Sequence, residues 1–168
     1  AIEHSAVLEP CRTLEREGFT VTRVAVDESG LVDAGRLISA LRPDTVLVSV
    51  MAANNEVGTV QPVAELAALA VERGIPLHPD AIQAIGQVPV DFAASGASAM
   101  SVTGHKLGGP MGVGALLLSR ETACTPLLHG GGQERDVRSG TVDVAGIVAC
   151  GVAVAVALKG QHQDATPG

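Results

Sequence analysis

Of the eleven basic residues in this 168-residue chain, only Lys106 and Lys159 are lysines. Lys159 ends a long apolar run, where a cation suits a helix C-terminus. Lys106 falls in SVTGHKLGGPMGVG, after a strand-like run and before a Gly-Pro turn. A lysine in apolar surroundings loses its charged form, and a neutral amine is what Schiff-base chemistry needs. Taken alone, Lys106 reads first as a surface lysine on a turn. Asp80 and Gln83 lie three residues apart behind the run 75–79, so both can face one ligand from one helical turn. A carboxylate there could hold a ring nitrogen protonated, or simply cap a helix. Asn54-Asn55 follows the run 45–51, and asparagine pairs also favour ordinary turns.

Thr103-Gly104-His105 supplies a hydroxyl, a close backbone and an imidazole just ahead of Lys106. His129-Gly130-Gly131-Gly132-Gln133-Glu134-Arg135 is a polar glycine-rich loop, and Arg138-Ser139-Gly140-Thr141 leads into the last apolar run. Backbone donors at a helix N-terminus, with arginine, favour an anion, although each glycine cluster singly is only a tight turn. Together these groups suit a ligand with an aldehyde, a pyridine nitrogen, a phenolic oxygen and a phosphate, which is pyridoxal 5′-phosphate.

Alternating strand-like and helix-like segments must position these residues. Ser5 is the candidate cap of a first helix running towards Gly18. Residues 19–26 alternate with period two, as a strand does, and residues 33–41 read as a short helix capped by Asp33. The β-branched run 45–51 suits a strand buried on both faces. Pro62 opens a helix over 63–72, and strands are expected at 75–78, 99–102 and 113–118. An apolar helix spans 142–159, leaving 160–168 as a frayed tail. This order predicts α/β, a three-layer α/β/α arrangement on a mainly parallel sheet, with ligands at the carboxyl ends of the strands.

Composition narrows the classes. Hydrophobic residues make up 46% of the chain, which excludes wholesale disorder. Two Phe with no Tyr or Trp leave no stacking platform for single-stranded nucleic acid, and a net charge of −7 disfavours any polyanion. Cys11, Cys124 and Cys150 show no metal or CxxC spacing, the pattern of reduced thiols in a cytoplasmic protein. The run 144–158 is short of the ~20 residues a membrane span takes, so a buried helix is expected and no membrane. Apolar on nearly every face, it predicts association or an incompletely covered fold.

The stretches EHSAVLEPCRTLEREGF, VSVMAANNEVGTVQP, HPDAIQAIGQVPVDF, MSVTGHKLGGPMGVGALLL and HGGGQERDVRSGT resemble the NifS/IscS branch of the cysteine desulfurases, class-V aminotransferase-like enzymes of PLP fold-type I. The resemblance implies a place for residues 1–159 in the central part of the cofactor-binding large domain. An N-terminal segment and a C-terminal small domain would complete it. It implies that Lys106 carries the cofactor and later moves the Cα proton, with His4 stacked on the ring and assisting. Asp80 would hold the pyridinium proton, Gln83 and Asn55 the phenolic oxygen, and Thr103 and His105 the phosphate. Thr141 of a second subunit would complete the phosphate site across a homodimer interface. L-Cysteine would be the substrate, and a sulfur acceptor or iron–sulfur scaffold the partner.

Two departures accompany it. Thr103 stands where the family usually has serine, keeping the hydroxyl, and Gly108 where an aromatic is common. None of the three cysteines sits in a nucleophile loop, so all three are read as structural and the chain is not expected to turn over cysteine by itself. The other readings are a different class-V enzyme, such as a selenocysteine lyase or an aminotransferase, and a non-catalytic folded fragment or interaction module.

Overall fold

Four short strands, of which only the first is rich in β-branched residues, build one sheet in a computed structural model that describes residues 2–164. The elements run α1 (Ser5–Arg16), α2 (Ala34–Ala40), β1 (Val48–Met51), α3 (Val63–Val71), β2 (Leu77–Asp80), α4 (Phe92–Ser95), β3 (Ala99–Thr103), β4 (Gly114–Leu118) and α5 (Val144–Asp164). The sheet order is β1-β2-β3-β4, with the first three strands parallel and β4 returning antiparallel. Helices flank a mainly parallel sheet, as the alternating pattern predicts.

Side chains alternate across a strand, so the two faces differ. Val48, Val50 and Leu77 pack with Leu66, Ala67 and Ala70 of α3 to make the main core. Strand register puts Ser49 and Met51, His78 and Asp80, and Ser101 and Thr103 on the opposite face. The chemistry-bearing residues therefore sit on the face that α3 leaves uncovered.

Several elements depart from the sequence pattern. Residues 19–26 form no strand: Val26 makes only an isolated bridge to Val32. A cleft of ≈ 410 Å³, lined by Val7, Leu14, Phe19, Val21, Val24 and Leu47, parts this segment from β1, so its backbone finds no ladder to join. For the same reason β1 starts at Val48, while Val46 and Leu47 are 65% and 53% exposed. β2 begins two residues late because the Ile75 N–H is bonded back to Ala70 at the end of α3. α1 is capped by His4, whose Nδ1 accepts from the Ala6 N–H, and not by Ser5. The pattern missed α4, which Asp91 caps and Gly96 ends at φ 68°.

The last helix does not stop at Lys159. It continues through Gly160 to Asp164, so the first part of the expected frayed tail is helical, and residues 165–168 lie outside the described residues. One stripe of α5 packs against the Lys106 turn through Cys150 at Gly104 and Ala153 at Gly109, and against the turn after β2 through Ala157 at Gly86. The expected burial of this helix is not found: Val144, Val148, Val152 and Val156, at i, i+4 spacing, are between 59% and 64% exposed. By length and composition alone, Val144–Gln161 is long and apolar enough to cross a membrane.

Candidate active site

Asp80 is the last residue of β2 and is 3% exposed. Its Oδ1 accepts from the Ile82 N–H at 3.0 Å. That is the local bond of a cap, but a series of turns follows instead of a regular helix, with Gln83 half-buried on it. Asp80 pairs with Ser101, and Thr103 ends β3 two residues further on. The carboxylate and the Thr103–Lys106 segment thus leave neighbouring parallel strands at the same end of the sheet. This is where open α/β sheets bind ligands.

Thr103 Oγ1 donates to the Val113 carbonyl at 3.2 Å and lies 2.9 Å from His105 Nδ1. A hydroxyl has one proton, so with that proton on Val113 the ring donates from Nδ1. His105, Lys106 and Leu107 form a 3-10 turn that ends at Gly108, whose φ of 75° is a conformation glycine adopts freely. Lys106 is exposed on this turn, not set in the apolar surroundings its sequence context suggested.

His4 is exposed, and the cap bond to Ala6 sets its ring position. The asparagine pair divides its labour. Asn54 is 7% exposed; its Nδ2 donates to the Ile2 carbonyl at 2.7 Å, and its Oδ1 accepts from the Glu56 and Val57 N–H groups. Asn55 is turned out to solvent. Asn54 thereby ties the segment entering α1 to the loop after β1, which holds His4 and Asn55 at the same sheet end as Asp80. Thr141 is exposed in the irregular segment before α5, and no hydrogen bond joins it to this group among the described residues. The glycine-rich loop folds on itself: Gln133 Oε1 accepts from Gly140 N–H at 2.8 Å, and a Cβ at Gly132 would meet Asp136 Oδ1 at 2.6 Å.

Two groups were overlooked in the sequence. Glu3 Oε1 accepts from the Met51 N–H at 2.7 Å, while its Oε2 is buried with no hydrogen-bond partner among the described residues. Burial, followed by the nearby Asp80 charge, raises the Glu3 carboxyl above its usual range against the lowering effect of the Met51 bond. His78 bridges Ser49 and Ser101, and burial lowers its imidazole against the opposing pull of Asp80. The period-two alternation of β2, which puts His78 and Asp80 on one face, was the signal that could have found it.

The donor set fits pyridoxal phosphate: a buried carboxylate for a ring N–H, an exposed primary amine one strand away, amides on the segments that follow β1 and β2, and a hydroxyl–imidazole pair for an anion. Thr103 would have to turn its hydroxyl from Val113 to donate to a phosphate.

The family and the fold are shown by comparison with known proteins. The aminotransferase class-V family model matches residues 1–165, and the chain belongs to that family. It is 55% identical to an IscS-like cysteine desulfurase of Mycobacterium tuberculosis, over 97% of this chain and 42% of that protein. A solved NifS-like protein superposes with a TM-score of 0.91 at 42% identity, over 94% of this chain and 44% of that one. SspA, solved in complex with cysteine, superposes with a TM-score of 0.88 at 42% identity, over 92% and 45% of the two chains. The chain therefore spans less than half the length of these relatives.

Proposed function

We propose that this chain is the cofactor-binding part of a pyridoxal-phosphate-dependent cysteine desulfurase that converts L-cysteine to L-alanine and passes the sulfur to an acceptor. The observation that carries the reading is the buried Asp80 carboxylate and the Lys106 turn leaving adjacent parallel strands at one end of the sheet. The names of its relatives and the cysteine complex of SspA support the substrate.

When bound, the cofactor supplies an electron sink that lets a Cα–H bond of an amino acid break. The amine of Lys106 would hold the cofactor at its aldehyde carbon and would serve as the base that moves the Cα proton. Asp80 holds a proton on the ring nitrogen, keeping the ring electron-poor. Gln83 and Asn55 donate to the phenolic oxygen, Thr103 and His105 bind the phosphate, and His4 covers the ring face and assists with the proton. Thr141 serves the phosphate of a second copy in a homodimer. Cys11 lines the cleft beside α1 and Cys150 packs on Gly104, so neither is assigned as sulfur acceptor, nor is Cys124. The sulfur goes onward to an acceptor or iron–sulfur scaffold protein in the cytoplasm.

The test is cofactor loading. The protein incubated with pyridoxal phosphate is expected to gain a visible absorption band, and borohydride to fix the cofactor on Lys106, located by peptide mass spectrometry. Lys106→Ala should abolish the fixed adduct. A folded protein with no band, or an adduct spread over Lys159 and the N-terminus, would overturn the reading.

A further inference from the structure

We propose that His78 is a positioning residue for Asp80, a role that rests on the cofactor reading above: its imidazole links Ser49 to Ser101 and locks the row of the sheet directly behind the carboxylate. His78 and Asp80 are two residues apart on β2 and share a face, so their Cα atoms lie about 7 Å apart along the strand. Ser49 stands opposite His78 in the register of β1. Ser49 Oγ lies 3.1 Å from His78 Nδ1, and His78 Nε2 lies 2.8 Å from Ser101 Oγ. Ser101 is also the residue of β3 that pairs with Asp80. One ring therefore ties three strands together at the level where the candidate site begins.

A neutral imidazole donates through one nitrogen and accepts through the other, and a hydroxyl can answer either. Hydrogen bonding alone is satisfied by the cation too, so it does not choose the charge state. Burial does, and it disfavours the cation. The groups that meet the ring from the flanking strands are the two hydroxyls. The titratable groups nearby are Asp80 on its own strand and Glu3, bonded to Met51 on β1. A cation behind Asp80 would share the carboxylate's charge; an uncharged ring leaves that charge for a ring N–H in front.

The experiment loads wild type, His78→Gln, His78→Phe and Ser101→Ala with pyridoxal phosphate and follows the visible spectrum against pH. A weaker hold on the ring-nitrogen proton leaves the Lys106-linked nitrogen more basic. The midpoint between the two visible forms is then expected to rise by about 1 pH unit in His78→Phe and about 0.5 in Ser101→Ala. Glutamine keeps a donor and an acceptor, so His78→Gln should stay within about 0.3 unit of wild type. If His78→Phe does not fold, Ser101→Ala, which leaves the ring in place, decides alone. Wild-type midpoints in the folded, loaded variants overturn the role of His78 and leave the cofactor reading standing. Failure of wild type to gain the band overturns both.

Discussion

Glu3 Oε1 lies 2.7 Å from the Met51 nitrogen, a hydrogen bond that fastens the residue before His4 to the end of β1. Met51 stands opposite Asp80 in the parallel register. The carboxylate of Glu3 thus brings the His4 segment to the sheet end where Asp80 lies. Glu3→Ala leaves the Met51 N–H without that partner, and leaving such a group unmade costs about 1–3 kcal/mol. The expected result is a lower denaturant midpoint for Glu3→Ala with an unchanged m-value. Glutamine keeps the acceptor oxygen and should restore most of the loss.

Glu3 and His78 give stability opposite pH dependences. The Glu3 carboxyl is raised in the fold from 4.5, chiefly by burial, so the folded state resists its ionisation. Its penalty begins as pH rises above 4.5 and is complete above the folded value. The His78 imidazole is lowered from 6.5 by burial, so stability is lost as pH falls from 6.5 through the folded value. Denaturation curves between pH 4 and 8 should show His78→Gln flattening the acid-side loss and Glu3→Gln flattening the decline on the other side. Identical pH profiles for wild type and both variants would contradict the assignment.

Gly104 sits under α5. A Cβ built there would lie 2.9 Å from Cys150 Sγ and 3.3 Å from Cys150 Cβ. Gly104→Ala must rotate the Cys150 thiol away, and it still presses on Cys150 Cβ at 3.3 Å and the Pro110 carbonyl at 3.4 Å. α5 and the turn that bears Lys106 then give by a few tenths of an ångström, overpacking that costs ~1 kcal/mol. Thermal melts should show that loss, and borohydride trapping at Lys106 should fall with it. Adding Cys150→Ala removes the nearer contact and is expected to rescue both in part.

Asp80→Asn separates charge from geometry. An asparagine can still accept the Ile82 N–H that Asp80 Oδ1 accepts at 3.0 Å, so the fold should hold. Without the charge, the ring-nitrogen proton loses its partner. Affinity for pyridoxal phosphate, read by titration of the visible band, is expected to fall ~10-fold or more, the scale of an ion pair worth about 1.4 kcal/mol. Asp80→Ala removes the turn bond as well and should also lower the melting temperature.

The exposed stripe Val144, Val148, Val152 and Val156 predicts self-association. Sedimentation of the chain should show species larger than a monomer at micromolar concentration. Substituting Val148 and Val152 with lysine should shift it towards monomer without loss of far-UV helical signal. A monomer in the unsubstituted chain would count against this.

Local chemistry was legible where short-range geometry decides it. The cap at Asp33, the opening of α3 at Pro62 and the β-branched run of β1 follow from contacts within three or four residues, which a linear pattern contains. The Thr103-Gly104-His105-Lys106 turn and Asp80 at a strand end were readable for the same reason. What no local pattern encodes is which backbone lies alongside which. Residues 19–26 carry a strand's alternation and still find no ladder. The bonds from Glu3 to Met51, Ser49 to His78 and His78 to Ser101 cross 48, 29 and 23 residues of chain. Strand register decides those meetings, and with them which ionisable groups share one end of the sheet, because pairing joins segments whose separation along the chain says nothing about their nearness in space.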